Sequence, residues 1–503
     1  MKSFLNRVFF HQADRWIEDE KLIDWRGGNY WTAGLSYEGS IHLGASGSGK
    51  TSGGVRLQAA AVMRAGYGVL FQTTTPADVE MCRNLARESG RENSVVRIGP
   101  GSGLGFNILR YEMMAALGQG AKGDLAGNVA TLFTSASELA KPRRESSGSD
   151  DIWRQAVENM VRHAVTVAYR ATGDLRLEDI VGIVKTAPQS LSQAKDPTWC
   201  RESICAQMIE TARQRSTGER NVSLAATYFL SEFPLYPPDT RNSVLFTFSS
   251  GSADLFQREP LHSMFFAGTD YTPDILQDGA VLLCEFPVNQ YREIGRIATG
   301  LLRSSCQRML DRRATHPSKR PVAIIWDESQ KTLLRSDVIF QETARTARCS
   351  TIASTQHVPA LQDAVGPDLK DTFLGNLRTK LFFQNNEPET GDFMRRLCNQ
   401  KEVLKPTSGS SGTGNASYSE TPVLEDALPP QATHNLKTGG KQNRYQVTGF
   451  LIVGSKRLRY KEPYQKILIH QKKLRGGWYS NRARVVAVQR PCPDFRYLRK
   501  GRD

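Results

Sequence analysis

Gly44-Ala45-Ser46-Gly47-Ser48-Gly49-Lys50-Thr51 follows the apolar Ile41 to Leu43 and precedes the helix-compatible run Val55 to Arg64. A strand, a glycine-rich loop and a helix are therefore expected in succession. Glycines let a backbone curl until the N–H groups of Gly47, Ser48 and Gly49 turn inward around an anion, a path that side chains obstruct. Lys50 then extends toward β- and γ-phosphates, and Thr51 offers its hydroxyl to Mg²⁺. This is a Walker A pattern. It predicts ATP and Mg²⁺ held by Gly44, Ser46, Gly47, Ser48, Gly49, Lys50 and Thr51.

A second element stands at Pro321-Val-Ala-Ile-Ile-Trp-Asp327-Glu328, where five apolar residues end in two carboxylates. A short, continuous, β-branched run is what a parallel strand buried on both faces requires, and ligands bind beyond the carboxyl ends of such strands. The pattern reads as Walker B. Asp327 is the expected Mg²⁺ partner, with Thr51, and Glu328 the residue that polarises the attacking water.

With 503 residues the chain has room for several domains and a large core. It carries 66 basic and 51 acidic side chains, and the excess is uneven: from Gly454 to Asp503 there are 15 basic and 3 acidic residues, +12 of the total +15. Trp478, Tyr479, Phe495 and Tyr497 lie among them, a composition suited to a polyanion such as nucleic acid or an acidic surface. The eight cysteines show no CxxC spacing and the eight histidines no HxxxH, so neither a disulfide framework nor a zinc site is expected. Met1 to Trp16 lacks the apolar core of a signal peptide. The longest runs without Asp, Glu, Lys or Arg are about 14 residues and polar, short of the roughly 18 apolar residues of a membrane span. A soluble, cytoplasmic chain is expected, or one held peripherally through a partner.

Strand and helix signals alternate through Tyr67 to Phe71 and Ser94 to Ile98, the start of a β-α-β sheet. From Tyr111 to Asp239 the text is helical, clearest in the face Ile152, Trp153, Ala156, Val157, Met160, Val161, Ala164, Val165 and Ala168. Strand-like text returns at Ala280 to Phe286. The expected organisation is a lead-in over 1–32, an α/β domain over 33–110 and 240–470, an all-α insertion over 111–239, and a basic tail over 471–503. Pro406 to Ser419 is Gly/Ser-rich and predicts a mobile loop. Gly99 to Gly105 fits GxGxG but not GxGxxG, and a plain loop is the expected role.

The third element is Thr351 to Gln356, a strand running to a polar tip. Gln356 there is suited to sensing a γ-phosphate, since an amide both donates to phosphate and accepts from water. Beyond this point the chain resembles the type IV coupling proteins of bacterial conjugation, the TraG/TraD-like DNA-pumping ATPases, in the subgroup with a TraM-recognition region. The resemblance runs from about Tyr37 to Gln471. It rests on the ordered set GASGSGKT, Phe106-Asn107-Ile-Leu109, Leu276-Gln-Asp-Gly-Ala-Val-Leu-Leu283, IIWDESQ at 324–330, Gln356, Leu374-Gly375-Asn376-Leu-Arg378, Pro388-Glu-Thr390 and Leu436-Lys-Thr-Gly439-Gly440.

The resemblance implies a RecA-like P-loop NTPase domain with a mostly parallel sheet, interrupted by an all-α domain. It also implies a ring, a homohexamer, that hydrolyses ATP to move DNA, single- or double-stranded and without sequence preference, with a relaxase or relaxosome toward a type IV secretion apparatus. Lys50, Thr51, Asp327, Glu328 and Gln356 take the roles above. Arg345 takes that of an arginine acting in trans, with Arg348 and Arg378 as rivals. The chain departs from that family in Trp326 before the Asp and in its basic tail, and no N-terminal membrane helix is expected. A HerA-like translocase of repair or defence shares the motor, and a nucleotide-gated cargo adaptor shares the binding loop; both stay open at this level.

Overall fold

The computed structural model describes residues 16–118, 124–140, 148–313, 320–410, 416–454, 463–472, 482–490 and 492–499. The chain forms two compact units. The first takes the described residues to Val95, then Leu276–Leu283 and Leu310–Phe495; the second takes Val96–Ile275, Cys284–Met309 and the described residues from Arg496.

Fourteen strands occur among the described residues: β1 (Lys21–Arg26), β2 (Asn29–Thr32), β3 (Ser40–Leu43), β4 (Gly68–Gln72), β5 (Val95–Ile98), β6 (Val281–Cys284), β7 (Val322–Trp326), β8 (Cys349–Thr355), β9 (Thr379–Phe382), β10 (Gln400–Ser410), β11 (Ala416–Asp426), β12 (Gln446–Val453), β13 (Gln465–His470) and β14 (Arg484–Val485). The main sheet has the order β13-β12-β9-β3-β8-β7-β4-β6-β5. β9, β3, β8, β7 and β4 run parallel, and the β12–β13 hairpin adds antiparallel to β9. Every residue of β3, β4, β7 and β8 is buried, as in strands covered on both faces, including the polar Ser40, His42, Ser350, Thr351, Ser354 and Thr355.

Register positions the site. Leu43 lies opposite Thr355, Trp326 opposite Ala353, and Gln72 opposite Trp326, so β3, β8, β7 and β4 end at one edge of the sheet. Gly44, Gln356, Asp327 and Thr73 are the residues that follow. The helix Arg56–Arg64 buries Leu57, Ala59, Ala60, Ala61, Val62 and Met63 in the same core as Val69, Phe71, Ile325 and Ile352. The three alanines on that helix, Ala59, Ala60 and Ala61, allow close approach to the sheet, where larger side chains would overpack.

The lead-in and the tail do not stay separate ends. β14, β1 and β2 form a three-stranded antiparallel sheet, and Ala483, Val485 and Ala487 are buried in the core of the first unit. Arg490 donates to both carboxylate oxygens of Glu20 at 2.9 and 2.7 Å and lies over the Trp16 ring. The described part of the tail is therefore partly structural. Trp478, Tyr479 and four of its ten basic residues lie outside the described residues.

Pro406 to Ser419, expected as a mobile loop, differs too. Residues 406–410 and 416–419 are the distal halves of a long antiparallel ribbon, paired from Gln400↔Asp426 to Ser410↔Ala416, and 411–415 lie outside the described residues. Ladder hydrogen bonds carry this ribbon, and Gly, Ser and Thr side chains give no period by which to read it.

The second unit is helical and larger than the expected 111–239. It continues to Ile275 and takes back most of the segment Val288–Arg312, helical but for a kink at Arg292. Its long helix Gly148–Thr172 buries Val157, Met160, Val161, Ala164, Val165 and Ala168 as the helical period predicts. Ile152 is exposed and Trp153 half-buried, so the apolar face is covered only from Val157 onward. Among the described residues no helix is long and apolar enough to cross a membrane.

Candidate nucleotide site

The loop after β3 bends through Gly47 and Gly49, at φ 75° and 85°, in the left-handed region that favours glycine. Gly49 is constrained twice, since a Cβ there would stand 2.7 Å from Val447 and 2.9 Å from the Thr438 carbonyl. Gly44 lies beneath the loop, and its Cβ would meet the Ser48 hydroxyl at 2.5 Å. The Ser48 N–H donates to the Ala45 carbonyl at 3.1 Å, so it closes the loop's own turn and does not point inward as expected. The Ser48 hydroxyl, by contrast, is buried without a partner.

Behind the loop the ends of β7 and β8 converge on it. The Thr51 hydroxyl donates to Asp327 Oδ2 at 2.8 Å. Asp327 Oδ1 accepts from the Ser354 hydroxyl and, at 3.1 Å, from the Glu328 N–H, and its carbonyl accepts from Thr74 at 3.0 Å. Asp78 takes the Thr74 and Thr75 N–H groups at 2.8 and 2.7 Å, which fixes the turn after β4 beside Asp327. Burial, and then the Asp327 charge, push the Asp78 carboxyl above its ordinary value.

Lys50 Nζ lies 2.9 Å from Glu328 Oε1, and both groups are largely buried. Glu328 Oε2 accepts from Gln330 at 2.5 Å and from Gln356 at 3.0 Å. Burial works against the charged carboxylate, but the Lys50 charge and the hydrogen bonds from Lys50 and Gln330 outweigh it, so Glu328 is held below the usual carboxylate range.

Lys50, Thr51, Asp327, Glu328 and Gln356, some 300 positions apart at the extremes, thus form one connected group. Gly47 to Thr51 also line a cavity of about 720 Å³, whose other walls come from the Pro76–Glu88 helix, from Thr438, Gly439, Gly440 and Gln442, and from Gln471. Ser46 is exposed on the loop and does not line that cavity. The donor set fits the expected ligands. A hydroxyl and a carboxylate side by side are hard oxygen donors of the kind Mg²⁺ takes together with substrate phosphates, and the partnerless Ser48 hydroxyl and buried Lys50 suit an anion.

Arg345 is not part of this group. Its guanidinium is 60% exposed and lies 3.7 Å from Glu38, which precedes β3 as Arg345 precedes β8. Arg348 immediately precedes β8, and the Arg378 N–H donates to the Glu38 carbonyl. All three arginines therefore stand at the opposite edge of the sheet, a strand's length of about 20 Å from the P-loop.

Sequence reading missed Ser354, Thr74, Asp78, Gln330 and Gln471. Asp78 had a signal: Thr75-Pro76-Ala77-Asp78 is a helix start with proline at its first position and an acid three residues after the cap. It also missed His42, whose ring is fully buried, stacks on Phe383 and hydrogen-bonds Gln58 at 2.7 Å. Burial, with Lys50 nearby, lowers its pKa to about 4, against a hydrogen bond to Gln58 that raises it. Native His42 therefore stays neutral where the unfolded chain begins to protonate. Stability is retained above about pH 6.5 and is lost as pH falls toward 4, on the order of 2 kcal/mol by pH 5. Urea denaturation at pH 7 and pH 5 is expected to show that loss, and His42→Asn to shrink it by about the same amount; equal pH dependence in both proteins would contradict it.

The family profile described as the TraM recognition site of TraD and TraG matches residues 321–438. A search of curated protein sequences returns no significant match. Among solved structures, the unbound bacterial conjugative coupling protein TrwBdeltaN70 is similar with TM-score 0.57 at 14% identity, over 93% of this chain and 92% of that one. TrwB with the non-hydrolysable ATP analogue ADPNP gives 0.56 at 13% identity, over 95% of each chain, and TrwB with ADP and Mg²⁺ gives 0.55 at 14%, over 94% of each. The segment containing β7, β8 and β9 thus matches the profile of the TraM recognition site of TraD and TraG, on a chain whose fold is similar to that of TrwB.

Proposed function

We propose that this chain hydrolyses ATP and couples the hydrolysis to moving DNA, with its bound relaxase or relaxosome, toward a type IV secretion apparatus. The observation that carries the proposal is the convergence of Glu328 and Gln356 on Lys50, and of Asp327 on Thr51, at one edge of the parallel sheet. Lys50 holds the β- and γ-phosphates. Thr51 and Asp327 hold Mg²⁺, which when bound neutralises charge on the phosphate oxygens. Glu328 takes a proton from the attacking water, and Gln356 orients that water or the γ-phosphate. The likeness to TrwB, solved with nucleotide, supports the reading.

Arg345, a strand's length from its own P-loop, serves the site of a neighbouring copy. A ring suits that division, because each site is then completed by the next subunit, and the resemblance to the coupling proteins makes it a homohexamer. The helical unit meets the relaxosome, and the ring works from the cytoplasm, at the inner membrane through secretion partners. DNA is gripped through its phosphates, so affinity is expected to fall steeply with salt and depend weakly on sequence. A displacement assay tests the function: with ATP and Mg²⁺ the protein is expected to strip streptavidin from end-labelled DNA, whereas hydrolysis with no displacement from single or double strands would overturn it.

A further inference from the structure

Glu328 has backbone angles φ 50° and ψ 49°, the left-handed region, and the short turn Ser329–Lys331 follows it, closed by the Lys331 N–H donating to the Glu328 carbonyl at 2.9 Å. That turn swings Gln330 back onto the Glu328 carboxylate. Gln330 is only 7% exposed, and its Nε2 donates to Oε2 at 2.5 Å while its own Oε1 is buried with no partner. An amide that leaves its carbonyl unsatisfied in the interior destabilises the fold relative to an apolar side chain of equal size. Gln330 therefore makes poor sense as packing.

It makes sense through the carboxylate it touches. Lys50 occupies Oε1, while Gln330 and Gln356 share Oε2. When a triphosphate draws Lys50 onto its phosphates, Oε1 is released and Oε2 stays held. Gln356, at the tip of β8, has a competing task at the phosphate or the water; the Gln330 amide has no other hydrogen-bond partner among the described residues. We infer that Gln330 is a positioning residue that anchors Oε2 of Glu328, so that Oε1 alone faces the attacking water once Lys50 has moved. The inference rests on the reading of Glu328 as the base.

The test compares Gln330→Met, close in volume and without an amide, with wild type and with Glu328→Gln in the full chain. Steady-state ATP turnover, the dissociation constant of a fluorescent ATP analogue, and thermal midpoint are measured for each. Gln330→Met is expected to lower kcat about ten- to a hundredfold, the scale of a small misplacement of a catalytic group, with KM and nucleotide affinity within about twofold and an unchanged or raised midpoint. Gln330→Leu supplies the same comparison should Met overpack. Unchanged kcat in a folded variant would overturn the inference, and so would parallel losses in kcat and midpoint. Retained turnover in Glu328→Gln would instead overturn the base assignment itself.

Discussion

Glu328→Gln is expected to lower ATP turnover by about 10² to 10⁴, the range a positioned general base supplies, while leaving nucleotide bound. The substitution keeps the side chain's size and its place behind the P-loop, and removes the negative charge that can take a proton. Affinity should hold or tighten for a specific reason. In the structure Lys50 is paired with Glu328 at 2.9 Å, in a site where both are largely buried, so phosphate must compete with that carboxylate for the lysine. An amide competes more weakly, because the charge that strengthens the contact is gone. Turnover and the affinity of a fluorescent ATP analogue, measured side by side, check this. A variant that loses binding together with turnover would mean that Glu328 serves mainly to hold Lys50 in place.

Arg345→Ala carries the second large effect: a loss of about 10³ to 10⁵ in turnover, with the affinity of each P-loop unchanged. Geometry restricts how such a loss can arise. Arg345 sits at the start of β8, and the Walker A loop follows the end of β3, a strand parallel to β8 in the same sheet. No rotamer of Arg345 spans a strand, so any effect on catalysis passes through another copy. Mixing Arg345→Ala with Glu328→Gln separates the possibilities, since a mixed ring contains sites with an intact base on one side and an intact arginine on the other. Partial recovery of turnover on mixing is expected. No recovery, with full activity in Arg345→Ala, would transfer the role to Arg348 or Arg378, which stand at the same edge.

The sheet was legible because its strands are buried on both faces. Ile41 to Leu43, Val322 to Trp326 and Thr351 to Ala353 are apolar or β-branched runs whose composition leaves little choice, and the polar residues that end them belong to the site. The ribbon over Gln400–Ser410 and Ala416–Asp426 was hidden because Leu404 and Leu424 are exposed and its distal half has no alternation to read. The limits of the helical unit were hidden for another reason. Val288–Arg312 looks locally like any helix that follows a strand, and only long-range packing assigns it to the second unit. At the site, Lys50, Thr51, Asp327 and Glu328 are fixed by motif spacing, whereas Ser354, Thr74 and Gln330 act through one or two hydrogen bonds each that no spacing rule announces. The tail divides in the same way. The alternation Ala483, Val485, Ala487 is a readable strand that the surrounding positive charge drew attention away from.

The most direct measurement is ATP turnover by the purified chain across a range of protein concentrations, with and without single- and double-stranded DNA. Turnover is expected to rise more than in proportion to protein and to be raised further by DNA, because each site waits on a neighbour's arginine and DNA gathers the subunits. Turnover strictly proportional to protein and indifferent to both forms of DNA would contradict that expectation.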